Sequence, residues 1–371
     1  MALSPLSVIE KVQKEKALIE EEPTAALFGA WPKLWHQQKQ LAAFFKADPR
    51  HLFLRPNVTW VMSDFLMALR LPKGSEILTT DIEYGAIVKI CQHKAEIEGH
   101  QVRFFSPHDK GQDSESISEE QMIQRLQQAL TAKTKLVVLS HVTTGSGLTL
   151  PVEKMAQLLR SRNIFFAVDG AHGAGAFELD LSRTEMDFYG TNLHKWLMGP
   201  KGTGFGYVAP RMREFLQPKF AGWTTQEVPP HFTIFGEGDE WTSRWMICST
   251  HNFSDFYGIE ATLQFWKDFN PQKLLPQQRK LRDLAAALVT KKTGWTCLSN
   301  FPTPESRGPM VAFQLPVALG QKGFALMDLL KEKGLVISMT WIQDEWCLRL
   351  SPHIYNSESE LEKASDILTK I

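Results

Sequence analysis

An aspartate and a lysine that could support covalent and acid–base chemistry follow two short apolar runs of this 371-residue chain. The run Ile164 to Val168 predicts a buried strand that ends at Asp169, and open α/β sheets bind ligands at the carboxyl ends of their strands. The run Met186 to Tyr189 leads to Lys195, which lies in the apolar-flanked segment HKWL. The segment GPKGTG follows, and its glycines let the backbone approach a bulky group closely. The sequence therefore predicts that an acid, a lysine and a permissive loop converge on one edge of a sheet.

This combination suits catalysis with pyridoxal phosphate (PLP). In PLP enzymes a lysine amine forms a Schiff base with the cofactor, and a carboxylate pairs with the pyridinium nitrogen. Lys195 would hold the cofactor and later move a proton, while Asp169 would keep the ring nitrogen protonated. For an arbitrary pair, a helix-capping Asp and a solvated surface Lys would be the more common interpretation, but the apolar flanks of Lys195 disfavour it. Neither GxGxxG nor GxxxxGK[ST] occurs in the glycine-rich segment, which disfavours a nucleotide-binding loop.

Further segments extend this pattern along nearly the whole chain. In order, they are PNVTW (56–60), LTTDIEYGA (78–86), LSHVTTGSGLTLPV (139–152), VDGAH (168–172), NLHKWL (192–197), PKGTGFGYV (200–208), CSTHN (248–252) and LRLSPHIYN (348–356). Together they resemble the class V aminotransferase family of fold type I PLP enzymes, and within it the isopenicillin N epimerase-like branch. The resemblance implies a homodimer with active sites at the subunit interface. It also implies an α/β fold, in which a large domain with a mostly parallel seven-stranded sheet is joined to a smaller α+β domain.

The resemblance implies a set of residues that bind the cofactor phosphate. Val58 and Thr59 match the family's phosphate turn, at a predicted helix amino terminus that presents free N–H groups and the positive end of the helix dipole. Asn192 and His194 match positions that flank the lysine and reach the phosphate. Thr250 matches the threonine that reaches the phosphate of the neighbouring subunit's cofactor. A bare helix cap at Thr59, which needs no ligand, is the alternative that the sequence leaves open.

The resemblance also implies contacts to the cofactor ring. His172 matches the position that touches the ring near its phenolic oxygen. Ile82 lies where many relatives carry a stacking His or aromatic residue, so either Ile82 packs on the ring or Tyr84 replaces the missing plane. His141 and Thr144 follow a predicted strand, where hydrogen bonds to the ring oxygen or to the substrate are expected. Helix packing for Tyr84 and a core position for His141 are equally compatible with the sequence.

The reaction is constrained less than the cofactor. Arg349 matches the family's substrate arginine, whose planar guanidinium forms two parallel bonds to a carboxylate, although an edge arginine paired with a local Glu is the alternative. We expect Cα deprotonation of a small amino acid, leading to epimerisation, transamination or C–S cleavage. A cysteine desulfurase needs a thiol on a mobile loop ahead of the arginine strand, but residues 339–345 contain no cysteine and Cys347 lies within the strand. The desulfurase and a non-catalytic binding protein remain as alternatives.

Composition limits the other classes of function. Lys plus Arg equals Asp plus Glu at 41 each, so no basic excess favours nucleic acid or an anionic membrane. No segment approaches the roughly 20 apolar residues of a membrane span. The four cysteines lack CxxC or Cys/His metal spacing, which predicts free thiols and no metal site. Because the amino terminus also lacks signal-peptide features, a cytoplasmic location is expected.

The elements that must position these residues alternate between strands and helices. Strands are predicted at 76–80, 101–105 and 135–140, with helices between them, as in a parallel sheet covered on both faces. We assign residues 17–255 to a large PLP-binding domain, and residues 1–16 and 256–371 to a small domain. The aromatic-rich stretch 217–247 is expected to form a rim of the active site. The chain begins almost inside its first predicted helix, so that edge of the pocket is either truncated or built differently.

Overall fold

A computed structural model describes residues 1–220, 240–246 and 250–371 of the chain. Within these ranges the strands are β1 (Leu52–Arg55), β2 (Glu76–Thr80), β3 (Gln101–Phe105), β4 (Thr134–Ser140), β5 (Phe165–Asp169), β6 (Phe188–Asn192), β7 (Gly204–Val208), β8 (Val311–Gln314), β9 (Ser338–Ile342) and β10 (Glu345–Leu350). The α-helices are α1 (Leu6–Glu21), α2 (Pro23–Phe28), α3 (Ala30–Phe44), α4 (Val58–Ala68), α5 (Gly85–Glu98), α6 (Glu119–Ala129), α7 (Val152–Ser161), α8 (Glu240–Met246), α9 (Ser254–Tyr257), α10 (Ile259–Phe269), α11 (Pro271–Thr293), α12 (Val317–Gly320), α13 (Ala325–Glu332) and α14 (Glu358–Leu368).

The first seven strands form one sheet in the order β1-β7-β6-β5-β4-β2-β3. The pairs from β3 to β6 are parallel, and only β7 and the edge strand β1 run antiparallel to their neighbours. Helices cover this sheet, and its central strands are buried along their length, as their continuous apolar runs predict. The expected mostly parallel seven-stranded sheet is therefore confirmed.

Two adjacent parallel strands carry the predicted chemical residues to one edge. Asp169 is the last residue of β5, where it pairs with Ser140 of β4 on one side and with Gly190 of β6 on the other. The strand predicted at Met186 to Tyr189 lies later in the chain, because β6 begins at Phe188 and its pairing with β7 extends it to Asn192. That polar end of the strand, Gly-Thr-Asn, has no apolar pattern to reveal it.

Residues 81–84 form a turn between β2 and α5. The helix α5 starts only at Gly85. Glu83 ties the turn to the neighbouring strand, because its carboxylate accepts hydrogen bonds from the N–H of Tyr84 and from the N–H of Ser140, both at 2.7 Å. These bonds hold the turn out of helical geometry.

The remaining strands form a second sheet, ordered β8-β10-β9 and antiparallel throughout. A separate hydrophobic cluster, running from Leu281 of α11 to Leu368 of α14, covers it. The buried side chains of α10 instead belong to the cluster of the large sheet. The predicted domain division at residue 255 stays a prediction. Within the described ranges, no helix combines the length and apolarity that crossing a membrane requires.

Candidate active site

A tight turn after β5 presents Asp169 and His172 on the same side of the sheet. The N–H of Ala171 donates to Asp169 Oδ1 at 2.8 Å, an aspartate turn in which the side chain accepts from the backbone two residues on. The turn wraps around the phenol of Tyr189, since a Cβ at Gly173 would lie 1.8 Å from Tyr189 Oη. Glycine in this motif is therefore required by the close approach of a buried tyrosine.

Lys195 lies in a segment held firmly against this turn. His172 Nε2 is 3.1 Å from Lys195 Nζ, and the indole N–H of Trp196 donates to His172 Nδ1 at 3.0 Å. Gly175 has φ of +82°, and a Cβ there would lie 2.4 Å from the backbone nitrogen of Leu197. The two predicted motifs thus interlock through backbone as well as side-chain contacts.

The lysine opens into a cavity of about 360 Å³ between the two sheets. Five of the predicted site residues line this cavity: Tyr84, Thr144, His172, Lys195 and Arg349. The Nη1 of Arg349 donates to the carbonyl oxygen of Thr144 at 2.5 Å, while its buried Nε has no partner among the described residues. A guanidinium has five N–H donors, so Arg349 keeps others with which it can bind an anionic group in the cavity.

The residues of the predicted phosphate turn lie beside the lysine segment. Asn192 Oδ1 accepts from the N–H of Val58 at 2.9 Å, which joins the end of β6 to the start of α4. Asn57 Oδ1 caps the same helix by accepting from the N–H of Trp60 at 3.2 Å. The N–H of Thr59, between these two, has no partner among the described contacts. His194 is oriented by the Thr203 carbonyl, which lies 3.0 Å from its Nδ1.

Burial changes the protonation of the central groups. It lowers the pKa of Lys195 from 10.5 to about 8, although the negative charge of Asp169 acts in the opposite direction. Burial also lowers the pKa of His172 well below its ordinary value, and the positive charges of Lys195 and Arg349 add to this effect. The pKa of Asp169 rises to about 6 because burial outweighs the attraction of Lys195. The site therefore holds a neutral imidazole beside a lysine that loses its proton unusually easily.

Some predicted site residues lie away from this cavity. Ile82 packs on the edge of the core and lines a neighbouring cleft, whereas Tyr84 lines the lysine cavity itself. His141 stacks on Phe177, with ring centroids 5.0 Å apart, and its Nδ1 is 2.9 Å from Tyr189 Oη. His141 is thus packed and hydrogen-bonded within the fold and does not line the cavity, and its expected contact to the ring oxygen or the substrate stays a prediction.

Two further predicted features, Thr250 and the aromatic rim, lie next to or within parts of the chain that the structure does not describe. Thr250 is exposed and follows residues 247–249, which lie outside the described part of the chain, so its expected contact to a neighbouring subunit stays a prediction. Most of the predicted aromatic rim at 217–247 also lies outside the described residues. Its described end forms α8, whose Trp245 is buried against Phe53 of β1.

Sequence reasoning missed a stack of three rings behind the lysine. The ring of His353 lies parallel to Trp196, with centroids 5.2 Å apart, and to Tyr355 at 4.4 Å. All three residues line the cavity. The unusual Trp in HKWL and the aromatic residues of LRLSPHIYN were visible signals, but their sequence separation conceals that they meet.

Comparisons with known proteins support one family. Residues 3–363 match the aminotransferase class-V family. The chain is 31% identical over 376 residues to isopenicillin N epimerase of Streptomyces clavuligerus, an alignment that covers 98% of this chain and 91% of that protein. It is also 30% identical over 190 residues to the cysteine desulfurase IscS of Vibrio vulnificus, but this match covers only 50% of this chain and 44% of the desulfurase.

Solved structures give the same picture. The cystine C–S lyase C-DES in complex with cysteine persulfide superimposes with a TM-score of 0.86 and 25% identity, covering 99% of this chain and 95% of the lyase. A mutant of C-DES with glycine covalently linked to its PLP cofactor superimposes with a TM-score of 0.84 and 25% identity, covering 98% of this chain and 94% of that one.

Proposed function

The chain belongs to the class-V aminotransferase family and is a PLP-dependent enzyme, and we propose that it moves the α-proton of a small amino acid with Lys195 as the base. The observation that carries the proposal is the contact between Lys195 Nζ and His172 Nε2, at 3.1 Å, in a cavity that Arg349 also lines. Epimerisation is the outcome that the full-length similarity to isopenicillin N epimerase favours.

The residues present fit the cofactor. Asp169 is 2% exposed, and its carboxylate accepts a single described hydrogen bond, at Oδ1. A buried carboxylate that is not fully paired suits a protonated ring nitrogen. The unpartnered N–H of Thr59 at the start of α4 suits a phosphate oxygen, because a helix amino terminus favours anions. Lys195 supplies an amine that burial makes available in its neutral, nucleophilic form.

The cofactor, when bound, withdraws electron density from the substrate and so acidifies its Cα–H. Around that chemistry, we assign the following roles to the residues of the chain. Arg349 binds the substrate carboxylate and fixes the orientation of the amino acid. Lys195 takes the α-proton, as a base whose pKa of about 8 lies close to neutral pH. His172 remains neutral and donates from Nε2. Val58, Thr59, Asn192 and His194 hold the phosphate.

A C–S lyase is the second candidate, and the likeness to C-DES over nearly the whole chain favours it. The cysteine desulfurase ranks below both for a structural reason. Cys347 is 1% exposed within β10, and burial together with the charge of Glu345 raises its thiol pKa to about 11. A thiol that stays protonated and enclosed is a poor nucleophile.

The test incubates the PLP-loaded enzyme with a panel of small amino acids in heavy water and follows each by NMR. Deuterium at Cα with inversion identifies an epimerase, an oxo acid identifies an aminotransferase, and pyruvate with released thiol or sulfide identifies a lyase. Lys195→Ala should abolish Cα exchange and change the visible spectrum of the bound cofactor. If the wild-type enzyme exchanges the Cα proton of no amino acid while carrying the cofactor, the proposal is refuted and a binding role takes its place.

The assembly and the location of the chain belong to the same proposal. We expect a homodimer in which Thr250 of one subunit approaches the cofactor of the other, and light scattering on the purified protein tests it. A cytoplasmic location is consistent with the three described cysteines, Cys91, Cys297 and Cys347, all of which are free thiols.

A further inference from the structure

We infer that Trp196 is a positioning residue that fixes the tautomer of His172 and thereby presents an N–H donor to Lys195. The inference rests on the proposed function, because it concerns the base of that reaction. It assigns a chemical task to the residue that directly follows the lysine.

The tautomer follows from the donors and acceptors that meet. An indole N–H can only donate, and that of Trp196 lies 3.0 Å from His172 Nδ1. Nδ1 must therefore carry a lone pair, and a neutral imidazole then bears its proton on Nε2. This Nε2–H lies 3.1 Å from Lys195 Nζ, which accepts the hydrogen bond only as a neutral amine. The depressed pKa values of both groups agree with this arrangement.

The indole is held so that its N–H cannot turn away. Trp196 is 4% exposed and lies parallel to the ring of His353, at an interplanar angle of 7°. Tyr355 covers the opposite face of His353, at 9°. His353 is itself anchored, because the N–H of Ile354 donates to its Nδ1 at 2.9 Å. This segment directly follows β10, so the strand that carries Arg349 also holds the indole in place.

The chemical consequence concerns the proton that Lys195 removes from the substrate. Lys195 takes that proton on its one lone pair, so the hydrogen bond from His172 must break as the amine becomes an ammonium. His172 with Nε2 protonated has no lone pair on that side, so it cannot draw the proton away without first losing its own. Forming a second buried cation is also unfavourable beside Lys195 and Arg349. The proton therefore stays on Lys195, from which it can return to the substrate.

The test compares Trp196→Phe with Trp266→Phe. Trp266 is an equally buried indole whose N–H donates to the carbonyl of Leu197 at 2.8 Å, so its variant loses the same kind of bond in the same segment without touching His172. Long-range nitrogen NMR on apo protein labelled with ¹⁵N-histidine reports the tautomer directly, and His172→Gln identifies the signal. We expect the Nε2–H tautomer in wild type and in Trp266→Phe, and loss of that single tautomer in Trp196→Phe.

A kinetic cycle tests whether the tautomer matters for the reaction. Loss of a partner that orients a histidine typically costs about 10- to 100-fold, as for the outer-shell partners of metal-bound histidines. We expect Trp196→Phe to slow Cα deuterium exchange by about that factor, and Trp266→Phe by less than about threefold. In a His172→Gln background, Trp196→Phe should cost less than about threefold, since residues that act through one another are not additive.

Two results would overturn the inference. One is an unchanged Nε2–H signal in Trp196→Phe. The other is a kinetic loss that multiplies undiminished with that of His172→Gln. Failure of the proposed function looks different, because it leaves wild-type enzyme without exchange of any amino acid while the NMR result still stands.

Discussion

The neutral form of Lys195 should be far more abundant near neutral pH than that of an ordinary lysine, and this can be measured without knowing the substrate. With a pKa of about 8, about one lysine in ten is neutral at pH 7, against about one in 3,000 for the ordinary value of 10.5. The neutral fraction is thus raised about 300-fold. Because only the neutral amine attacks an aldehyde, the rate at which apoenzyme captures pyridoxal phosphate should level off above a midpoint near pH 8.

The assay follows the cofactor's visible absorbance in a stopped-flow instrument from pH 6 to pH 10.5. Pyridoxal phosphate has ionisations of its own, so the rate is divided at each pH by that of its reaction with N-acetyl-lysine. The ratio then reports the protonation of Lys195 relative to that of an ordinary lysine amine. Two variants test the direction of each charge effect on Lys195. Asp169→Asn removes a negative charge that raises the pKa of Lys195, so the midpoint should move to lower pH. Arg349→Gln removes a positive charge that lowers this pKa, so the midpoint should move to higher pH.

The expected ratio is nearly constant from pH 6 to about pH 8 and then falls steadily up to pH 10.5, because above pH 8 the enzyme lysine is already deprotonated while the model amine is still gaining its neutral form. The reasoning is refuted if the ratio is independent of pH, which would mean that Lys195 titrates like a lysine in water. Displacement of the midpoint in the same direction by Asp169→Asn and Arg349→Gln would also refute it, since the two removed charges have opposite sign.

Three other changes probe the scaffold and the reaction. Gly175→Ala should lower the free energy of unfolding in urea by about 3 kcal/mol or more, since a Cβ would lie 2.4 Å from the backbone of Leu197. The control Gly74→Ala, at a similar φ of +77° but with no atom within 4 Å, should cost about 1 kcal/mol, and equal losses would contradict the clash. Arg349→Lys keeps the charge but loses the paired donors, so kcat/KM for amino acids should fall about 10- to 100-fold, or roughly 1.5–3 kcal/mol. An unchanged kcat/KM would show that Arg349 does not bind the substrate carboxylate. Cys347→Ser should retain Cα exchange within about twofold, whereas complete loss of sulfide release from cysteine would instead favour a desulfurase.

Much of the fold could be predicted because its information is local. The strands β2 and β3 have the predicted bounds, since each is a short apolar run that ends at a turn or loop. Their alternation with helices was sufficient to indicate a parallel sheet. The displaced end of β6 marks the limit of this reasoning, because Gly190 to Asn192 are strand residues only through their pairing with β7. The hydrophobic pattern of a single segment does not show which strand it pairs with or how far that pairing extends.

The candidate site divides in the same way. Asp169, His172 and Lys195 were predicted from two motifs, and the structure brings them together at the end of β5 and after β6. The direction of side chains was not accessible from the sequence. Thr144 was expected to form a hydrogen bond to the ring oxygen or the substrate; it lines the cavity, and its carbonyl oxygen accepts from Arg349, a contact that the sequence did not reveal. Tyr84 and Ile82 could not be separated until the 81–84 turn was seen to aim the tyrosine at the cavity.

The charges around the cavity indicate how binding and reactivity are coupled. Besides burial, the positive charges of Lys195 and Arg349 lower the pKa of His172, and Arg349 likewise lowers that of Lys195. An anion that binds in the cavity offsets the repulsion between these positive charges and so raises the pKa of Lys195. By linkage, protonation of Lys195 strengthens the binding of that anion by the same free energy. Without such an anion, a larger fraction of Lys195 is neutral and ready to attack. A bound carboxylate on Arg349 shifts the same amine towards holding a proton, which suits a base that must first accept the α-proton and then keep it until it is returned.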